Sequence, residues 1–134
     1  MFLLLKGVKT LPGELPEEIP DVQDRAKSER AIACAACLAT VTSARHRIAV
    51  HGSHDHRFMN PGGFLFHIGC FAEAIGCTIF GPDSHEYPWF PGLAWRYALC
   101  TSCGQHLGWH FHGKGGEAFF GLVLDRLTEP EGNT

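Results

Sequence analysis

Apolar residues along the chain come in short runs that glycine, proline and small polar residues interrupt, a pattern typical of short strands joined by turns. The clearest strand is 64–71, whose apolar residues fall on both sides of the alternation: Phe64, Phe66 and Ile68 on one side, Leu65, His67 and Phe71 on the other. Such a strand is expected at the centre of a sheet with both faces covered. The same patterns predict strands at 39–43, 47–51, 78–80, 95–100, 107–112 and 117–127, turns at 52–56, 60–63 and 113–116, a loop at 81–88, and one or two helical turns at 24–33.

The patterned part of the chain is flanked by two segments without strand signals. Residues 11–20 are acidic and repeatedly interrupted by proline, so no regular element can persist there, and we expect 1–29 to form a partly flexible arm. The polar residues 129–134 are expected to form a flexible tail. One domain is therefore predicted over 30–128.

Composition narrows the classes of partner. The chain has 134 residues, of which 45% are hydrophobic and 19% charged, with a formal net charge of -3 and no long basic run. These values are ordinary for a globular domain and argue against nucleic acid as the main partner. The apolar run 2–5 is too short to span a membrane and lacks the features of a signal peptide. We therefore expect a cytoplasmic protein without a membrane partner.

Six cysteines include two Cys-x-x-Cys pairs, Cys34 with Cys37 and Cys100 with Cys103. In a cytoplasmic protein such pairs favour metal binding over disulfides. Together they supply four thiolates for one tetrahedral ion, which zinc prefers and iron also accepts. The alternative is that one pair is a redox dithiol and the other incidental. A metal would tie the beginning of the domain to its later half.

The segment 88–111 carries all three tryptophans, Trp89, Trp95 and Trp109. Each indole brings a large apolar area and one N–H that needs a partner. On strands, residues two apart face the same way, so Trp109 shares a face with Phe111, and Trp95 shares a face with Tyr97. The sequence therefore predicts a pocket lined by aromatic rings, with the metal holding its frame. The alternative is simple core packing of these rings.

The motifs in this region resemble the thalidomide-binding (CULT) domain of the cereblon family, most of all its small single-domain bacterial members. The residues that carry the resemblance are the segments 84–95 and 100–111, with the motifs Trp-Phe-x-Gly-x-x-Trp and His-Leu-Gly-Trp, the Asn-Pro-Gly-Gly turn at 60–63, the first cysteine pair and the closing Phe-Phe-Gly-Leu at 119–122. The resemblance extends over about residues 32–127, which is most of the chain.

The resemblance implies a mostly β fold, a zinc-pinned β-tent of two roughly perpendicular antiparallel sheets. It implies a zinc ion on the four cysteines and a non-catalytic module that binds cyclic imides: glutarimides, thalidomide-type compounds, uracil-like rings and the C-terminal cyclic imides of damaged proteins. The loop backbone at Tyr87, Pro88 and Trp89 would meet the polar edge of such a ring. The implied ligand-binding residues are Asn60, Phe66, Tyr87, Pro88, Trp89, Trp95, Trp109 and Phe111.

Two departures from the family pattern limit what it implies. Pro88 stands where relatives commonly carry serine, so a hydroxyl and a backbone N–H are both missing there. Nothing in the sequence resembles the protease-like domain of full-length cereblon or its ubiquitin-ligase adaptor surface, and a role in degradation is therefore not expected.

Two other functions remain open. The first is an enzyme similar to methionine sulfoxide reductase B that would use Cys70 or Cys77 as nucleophile, although neither lies in the aromatic motif. The second is a cage for methylated lysine, in which a cation lies over the rings and Glu86 is the only candidate carboxylate. A second metal site at His51, His54 and His56 is less expected than solvated or packed imidazoles.

Overall fold

The computed structural model describes residues 30–130, which form nine strands in two antiparallel sheets. The mostly β fold with two antiparallel sheets is therefore confirmed. The predicted arm at 1–29 and residues 131–134 of the predicted tail lie outside the described residues. The strands are β1 (Ala31–Cys34), β2 (Thr40–Ser43), β3 (Asp55–Met59), β4 (Leu65–Phe71), β5 (Cys77–Ser84), β6 (Ala94–Cys100), β7 (His106–His112), β8 (Ala118–Val123) and β9 (Leu127–Thr128).

The smaller sheet has the order β2-β1-β9, with single 3₁₀ turns at Ala44–His46 and Leu124–Arg126. Its middle strand β1 pairs Ala33 with Thr128 and Cys34 with Leu127. The expectation of helical turns through residue 33 was wrong for 31–33. Pairing with a strand almost a hundred residues away supplied hydrogen bonds that outweigh a weak local helix preference.

The larger sheet has the order β3-β4-β8-β7-β6-β5, and every neighbouring pair is antiparallel. The central position of β4, between β3 and β8, agrees with the prediction from its two apolar sides. Both sides of β4 are buried only from Ile68 to Phe71. Leu65, its first residue, and Phe64, just before it, are exposed. No helix in the part of the chain that the structure describes has the length and apolar run that a membrane crossing requires.

Four predicted elements differ from the structure. The predicted strand at 117–127 ends at Val123, where the 3₁₀ turn Leu124–Arg126 separates β8 from β9. Residues 47–51 do not form a strand; Arg47 and Val50 make isolated bridges, to Phe71 and Ser53. The predicted turn at 52–56 ends earlier, since Asp55 already begins β3, whose residues alternate between exposed and half-buried. The predicted loop at 81–88 continues β5 as far as Ser84. Pro82 is tolerated there because β5 is an edge strand whose register is irregular between Phe80 and Ser84.

The larger sheet is buried on both faces, against different partners. One face packs on the smaller sheet, in a core that contains Ile32 and Val41 together with Ala98, Leu107 and Leu122. The other face carries a second core, which packs against the loop that follows β5 and consists of Ile68, Cys70, Phe90, Trp109, Phe111, Phe119 and Val123.

Candidate metal centre and aromatic cavity

The sulfur atoms of Cys34, Cys37, Cys100 and Cys103 all lie within 4.8 Å of one another. The sulfur atoms of Cys34 and Cys103 are 3.8 Å apart, and those of Cys37 and Cys100 are 3.6 Å apart. A tetrahedral ion with metal–sulfur bonds of about 2.3 Å separates its ligands by about 3.8 Å. The four cysteines therefore fit one tetrahedral metal ion, as the two Cys-x-x-Cys pairs predict.

The cluster joins the two sheets. Cys34 is the last residue of β1 in the smaller sheet, and Cys100 is the last residue of β6 in the larger one. Both are buried in the core between the sheets, whereas Cys37 and Cys103 lie in the turns that follow. A metal bound here would fasten the smaller sheet to the larger one.

The two cysteine turns have the same backbone hydrogen bonds. The N–H of Cys34 donates to the Ala39 carbonyl, and the Leu38 N–H donates to the Cys34 carbonyl, at 2.9 and 2.7 Å. In the second turn the Cys100 N–H donates to Gln105 and the Gly104 N–H to Cys100, both at 2.8 Å. The backbone N–H of Ala39 makes the largest contribution to lowering the pKa of Cys37, to about 7, while desolvation and the neighbouring thiols raise the pKa of Cys103.

The fifth residue of each turn has a left-handed backbone, with φ of 68° at Leu38 and 81° at Gly104. Glycine adopts this conformation without strain, whereas leucine does not, and Leu38 is exposed. Leu38→Gly should therefore stabilise the metal-loaded domain by about 1 kcal/mol in chemical denaturation. The reciprocal Gly104→Leu should destabilise it by a similar amount, and a loss of stability in Leu38→Gly would contradict the interpretation.

A cavity of about 350 Å³ opens over the tryptophan-bearing face of the larger sheet. Seven of the eight residues predicted to bind a ligand line it, namely Asn60, Phe66, Tyr87, Trp89, Trp95, Trp109 and Phe111. Pro88 is exposed and is not among the lining residues. The structure thus brings together residues from the 60–63 turn, β4, the loop after β5, β6 and β7.

The three indoles form the walls of the cavity in defined relative orientations. The rings of Trp89 and Trp109 meet at 75° with centroids 4.7 Å apart. The Nε1–H of Trp95 donates to the Glu86 carbonyl at 2.8 Å, which ties the 85–89 loop to β6. Tyr87, in the same loop, has a positive φ of 49°, a conformation that a bulky residue rarely adopts. The loop is thus held in a special backbone conformation beside the cavity, as is common at binding sites.

A second layer of aromatic rings supports these walls. Phe58 stacks on Trp89 with centroids 4.9 Å apart and planes 11° from parallel. Phe90 is buried and contacts Phe111 and Phe119 edge to face. The role of Phe58 was not predicted, because the predicted turn at 52–56 covered the beginning of β3 and no element was predicted at 57–59.

Three further lining residues, Pro61, Tyr97 and His106, were not among the predicted ligand-binding residues. All three had a signal in the sequence: Pro61 follows Asn60 in the turn, Tyr97 shares a strand face with Trp95, and His106 begins the His-Leu-Gly-Trp motif. Its ring contacts Trp109 edge to face at 4.9 Å and Tyr97 at 5.4 Å.

The cavity lining is uncharged. Among the described residues that line it there is no Asp, Glu, Lys or Arg side chain. Burial lowers the pKa of His106, with a smaller contribution from the nearby Arg126, so its imidazole is neutral at neutral pH. Asn60 contributes the one side-chain amide, whose Oδ1 accepts the Phe64 N–H at 2.8 Å. The site is thus suited to an uncharged, largely flat ligand.

The two remaining cysteines lie apart from the cavity lining. Burial raises the pKa of both Cys70 and Cys77 to about 12, so both are protonated thiols at neutral pH. His54 and His56 bond to backbone carbonyls. Within residues 30–130 the four cysteines are the only cluster of at least three potential metal ligands.

Comparison with known proteins supports the resemblance that the motifs indicate. No protein-family model matches the chain. Over 82 residues it is 34% identical to chicken cereblon and 39% identical to Xenopus tropicalis cereblon, in each case 55% of this chain and 18% of the relative. Over 121 residues it is 29% identical to zebrafish cereblon, 84% of this chain and 27% of the relative. The chain thus matches only about a fifth to a quarter of the length of these relatives, and over that segment it is similar to cereblon.

Proposed function

We propose that this domain is a non-catalytic binding module whose cavity takes an uncharged cyclic imide or a closely related ring. The class includes glutarimides, thalidomide-type compounds, uracil-like rings and cyclic imides at the C-terminus of a protein. The observation that carries the proposal is the cavity itself, about 350 Å³, with three indole walls and no charged side chain in its described lining. The similarity to cereblon supports the same conclusion.

The chemistry of such a ring suits the cavity. A glutarimide is compact, neutral and carries two carbonyl groups, one N–H and an apolar CH₂ edge. The apolar edge would pack between Trp89, Trp95 and Trp109, while the Asn60 amide and the backbone of 87–89 would meet the other edge. Specificity in a mostly apolar cavity comes from a few such hydrogen bonds.

We further propose that the ion on the four cysteines is a structural zinc. Four sulfur ligands and close to tetrahedral spacing leave no open coordination position, as in structural rather than catalytic zinc sites. Its part is then to hold the two sheets together beneath the cavity.

The two other functions are less well supported. A methylated lysine would bring a positive charge into a lining that offers no carboxylate among its described residues, and Glu86 contributes only its backbone carbonyl, to Trp95. A reductase would need a reactive thiolate at the cavity, whereas Cys70 and Cys77 are high-pKa thiols outside its lining.

Calorimetric titration with glutarimide, succinimide, uracil and trimethyl-lysine tests the proposal. We expect binding of the imides and no measurable binding of trimethyl-lysine. Trp89→Ala should weaken imide binding by about 2 kcal/mol or more, roughly thirtyfold, because a buried aromatic anchor is removed. Phe80→Ala is the control, since Phe80 is an exposed ring outside the cavity lining.

Two outcomes would overturn the proposal. One is tighter binding of trimethyl-lysine than of any imide. The other is imide affinity that Trp89→Ala and Phe80→Ala change equally.

A further inference from the structure

Arg126 contacts a residue that lines the cavity, His106, and a residue of the first cysteine turn, Ala35. It ends the 3₁₀ turn Leu124–Arg126 and is half-buried. On the cavity side its Nη1 donates to the His106 carbonyl at 2.8 Å and lies 3.4 Å from His106 Nδ1. Guanidinium can only donate, so Nδ1 accepts and the imidazole proton is on Nε2, which donates to the Gly108 carbonyl at 2.9 Å. The position of the His106 ring is therefore held from both sides.

The same guanidinium also supports a second wall of the cavity. Its central carbon lies 5.7 Å from the centre of the Phe66 ring, within the range of a cation–π contact. Phe66 and His106 both line the cavity, and both meet Trp109 edge to face, at 5.3 and 4.9 Å. Displacement of Arg126 would thus move Phe66 and His106 together, and both of these rings pack against Trp109.

On the metal side, Arg126 is bonded to the first cysteine turn. Its carbonyl accepts the N–H of Ala35, the residue after Cys34, at 2.9 Å. The next residue, Leu127, pairs with Cys34 in the smaller sheet. His106, which Arg126 holds on the other side, begins β7 three residues after Cys103. Arg126 is therefore in contact with segments adjoining both cysteine pairs.

From these contacts we infer that Arg126 is a positioning residue that couples metal binding at the four cysteines to ring binding in the cavity. Metal binding sets the spacing of the two cysteine turns, and Arg126 transmits that spacing to His106 and Phe66. Coupling is reciprocal, so a ring in the cavity must raise metal affinity by the factor by which the metal raises ring affinity. This inference rests on the proposed function for its ligand, although one of its tests needs no ligand.

The first test measures the preference of the full chain for zinc over cadmium by metal competition, with and without saturating glutarimide, so that both states compared are metal-loaded. In the wild type, glutarimide should raise this preference about fivefold or more. In Arg126→Met, which keeps the length of the side chain but loses its donors, the effect should fall to less than about twofold. Arg96→Met is the matched control: Arg96 is also half-buried and bonded to a backbone carbonyl, that of Gly81, but is not among the lining residues. It should keep the wild-type factor.

The second test replaces zinc with the larger Cd²⁺ and follows the indole N–H signals of Trp95 and Trp109 by NMR. These signals should shift in the wild type and in Arg96→Met, and should be nearly unchanged in Arg126→Met. If Arg126→Met does not fold, Arg126→Lys replaces it, and its retained single donor should give an intermediate zinc factor and an intermediate shift.

The outcomes separate the two proposals. Equal zinc factors in Arg126→Met and wild type, or equal cadmium shifts, would overturn the coupling role. Glutarimide that binds the wild type without changing its preference for zinc over cadmium would also overturn it, while the proposed function would stand. If glutarimide does not bind at all, the proposed function fails, and the cadmium shifts alone decide the role of Arg126.

Discussion

Cys100→Ser, or removal of the metal with a strong chelator, should unfold the domain at room temperature. Cys100 is buried in the core between the two sheets, and the metal would bridge its turn to that of Cys34. The apparent free energy of a structural zinc site is on the order of 10 kcal/mol, comparable to the whole stability of a domain. Circular dichroism should show loss of the strand signal, and near-ultraviolet bands of the indoles should collapse with it.

Cys77→Ala is the control for this experiment. Cys77 is a half-buried thiol that packs against the same core but is not part of the four-cysteine cluster. Its variant should retain one metal ion per chain and the wild-type spectrum, with a modest loss of stability from the lost sulfur contacts. A chelated wild type with an unchanged thermal transition would contradict the structural role of the metal.

Gly108→Ala should lower the stability of the domain more than any other single methyl group added to the larger sheet. A Cβ at residue 108 would lie 2.1 Å from the Gly121 carbonyl oxygen and 2.8 Å from the Leu122 Cα. Both are backbone atoms of the neighbouring strand β8, so no rotation of a side chain can relieve the clash, and β7 and β8 must separate. Because Trp109 and Phe111 follow on β7, the cavity would be distorted too. We expect a loss of about 3 kcal/mol or more in urea denaturation.

Gly62→Ala provides the matched control. Its added Cβ would meet its nearest neighbours at 3.5 Å or more, and residue 62 is not among the glycines with positive φ. Its stability should stay within about 0.5 kcal/mol of the wild type. If Gly108→Ala and Gly62→Ala were equally stable, the close approach of β7 and β8 would not be a real constraint.

Features that depend on residues close together in the sequence were predicted best. The four cysteines are recognisable because each pair spans only one turn, and the turn backbone of residues 60–63 follows from Asn60, Pro61 and two glycines. The strands β4, β6 and β7 were placed to within about one residue from their apolar patterns. The aromatic residues that line the cavity were named from motifs in a single continuous stretch, together with Asn60 and Phe66 from the family resemblance.

Features that depend on distant partners were missed. The strand β1 exists because it lies between β2 and β9, and the extension of β5 to Ser84 depends on its pairing with Trp95. The guanidinium that donates to the His106 carbonyl comes from Arg126, twenty residues later in the chain. None of these contacts has a local pattern that could reveal it.

The sequence alone determined the ligand atoms for a metal, the number and type of rings available for a cavity, and the turns between most strands, because each depends on residues within a few positions of one another. Three features were decided only by the tertiary structure. The four sulfur atoms lie at tetrahedral spacing, the three indoles line one cavity, and Arg126 contacts segments beside both sites. The reason is that these distances are set by the pairing and packing of strands far apart in the chain, where propensity and periodicity carry no information.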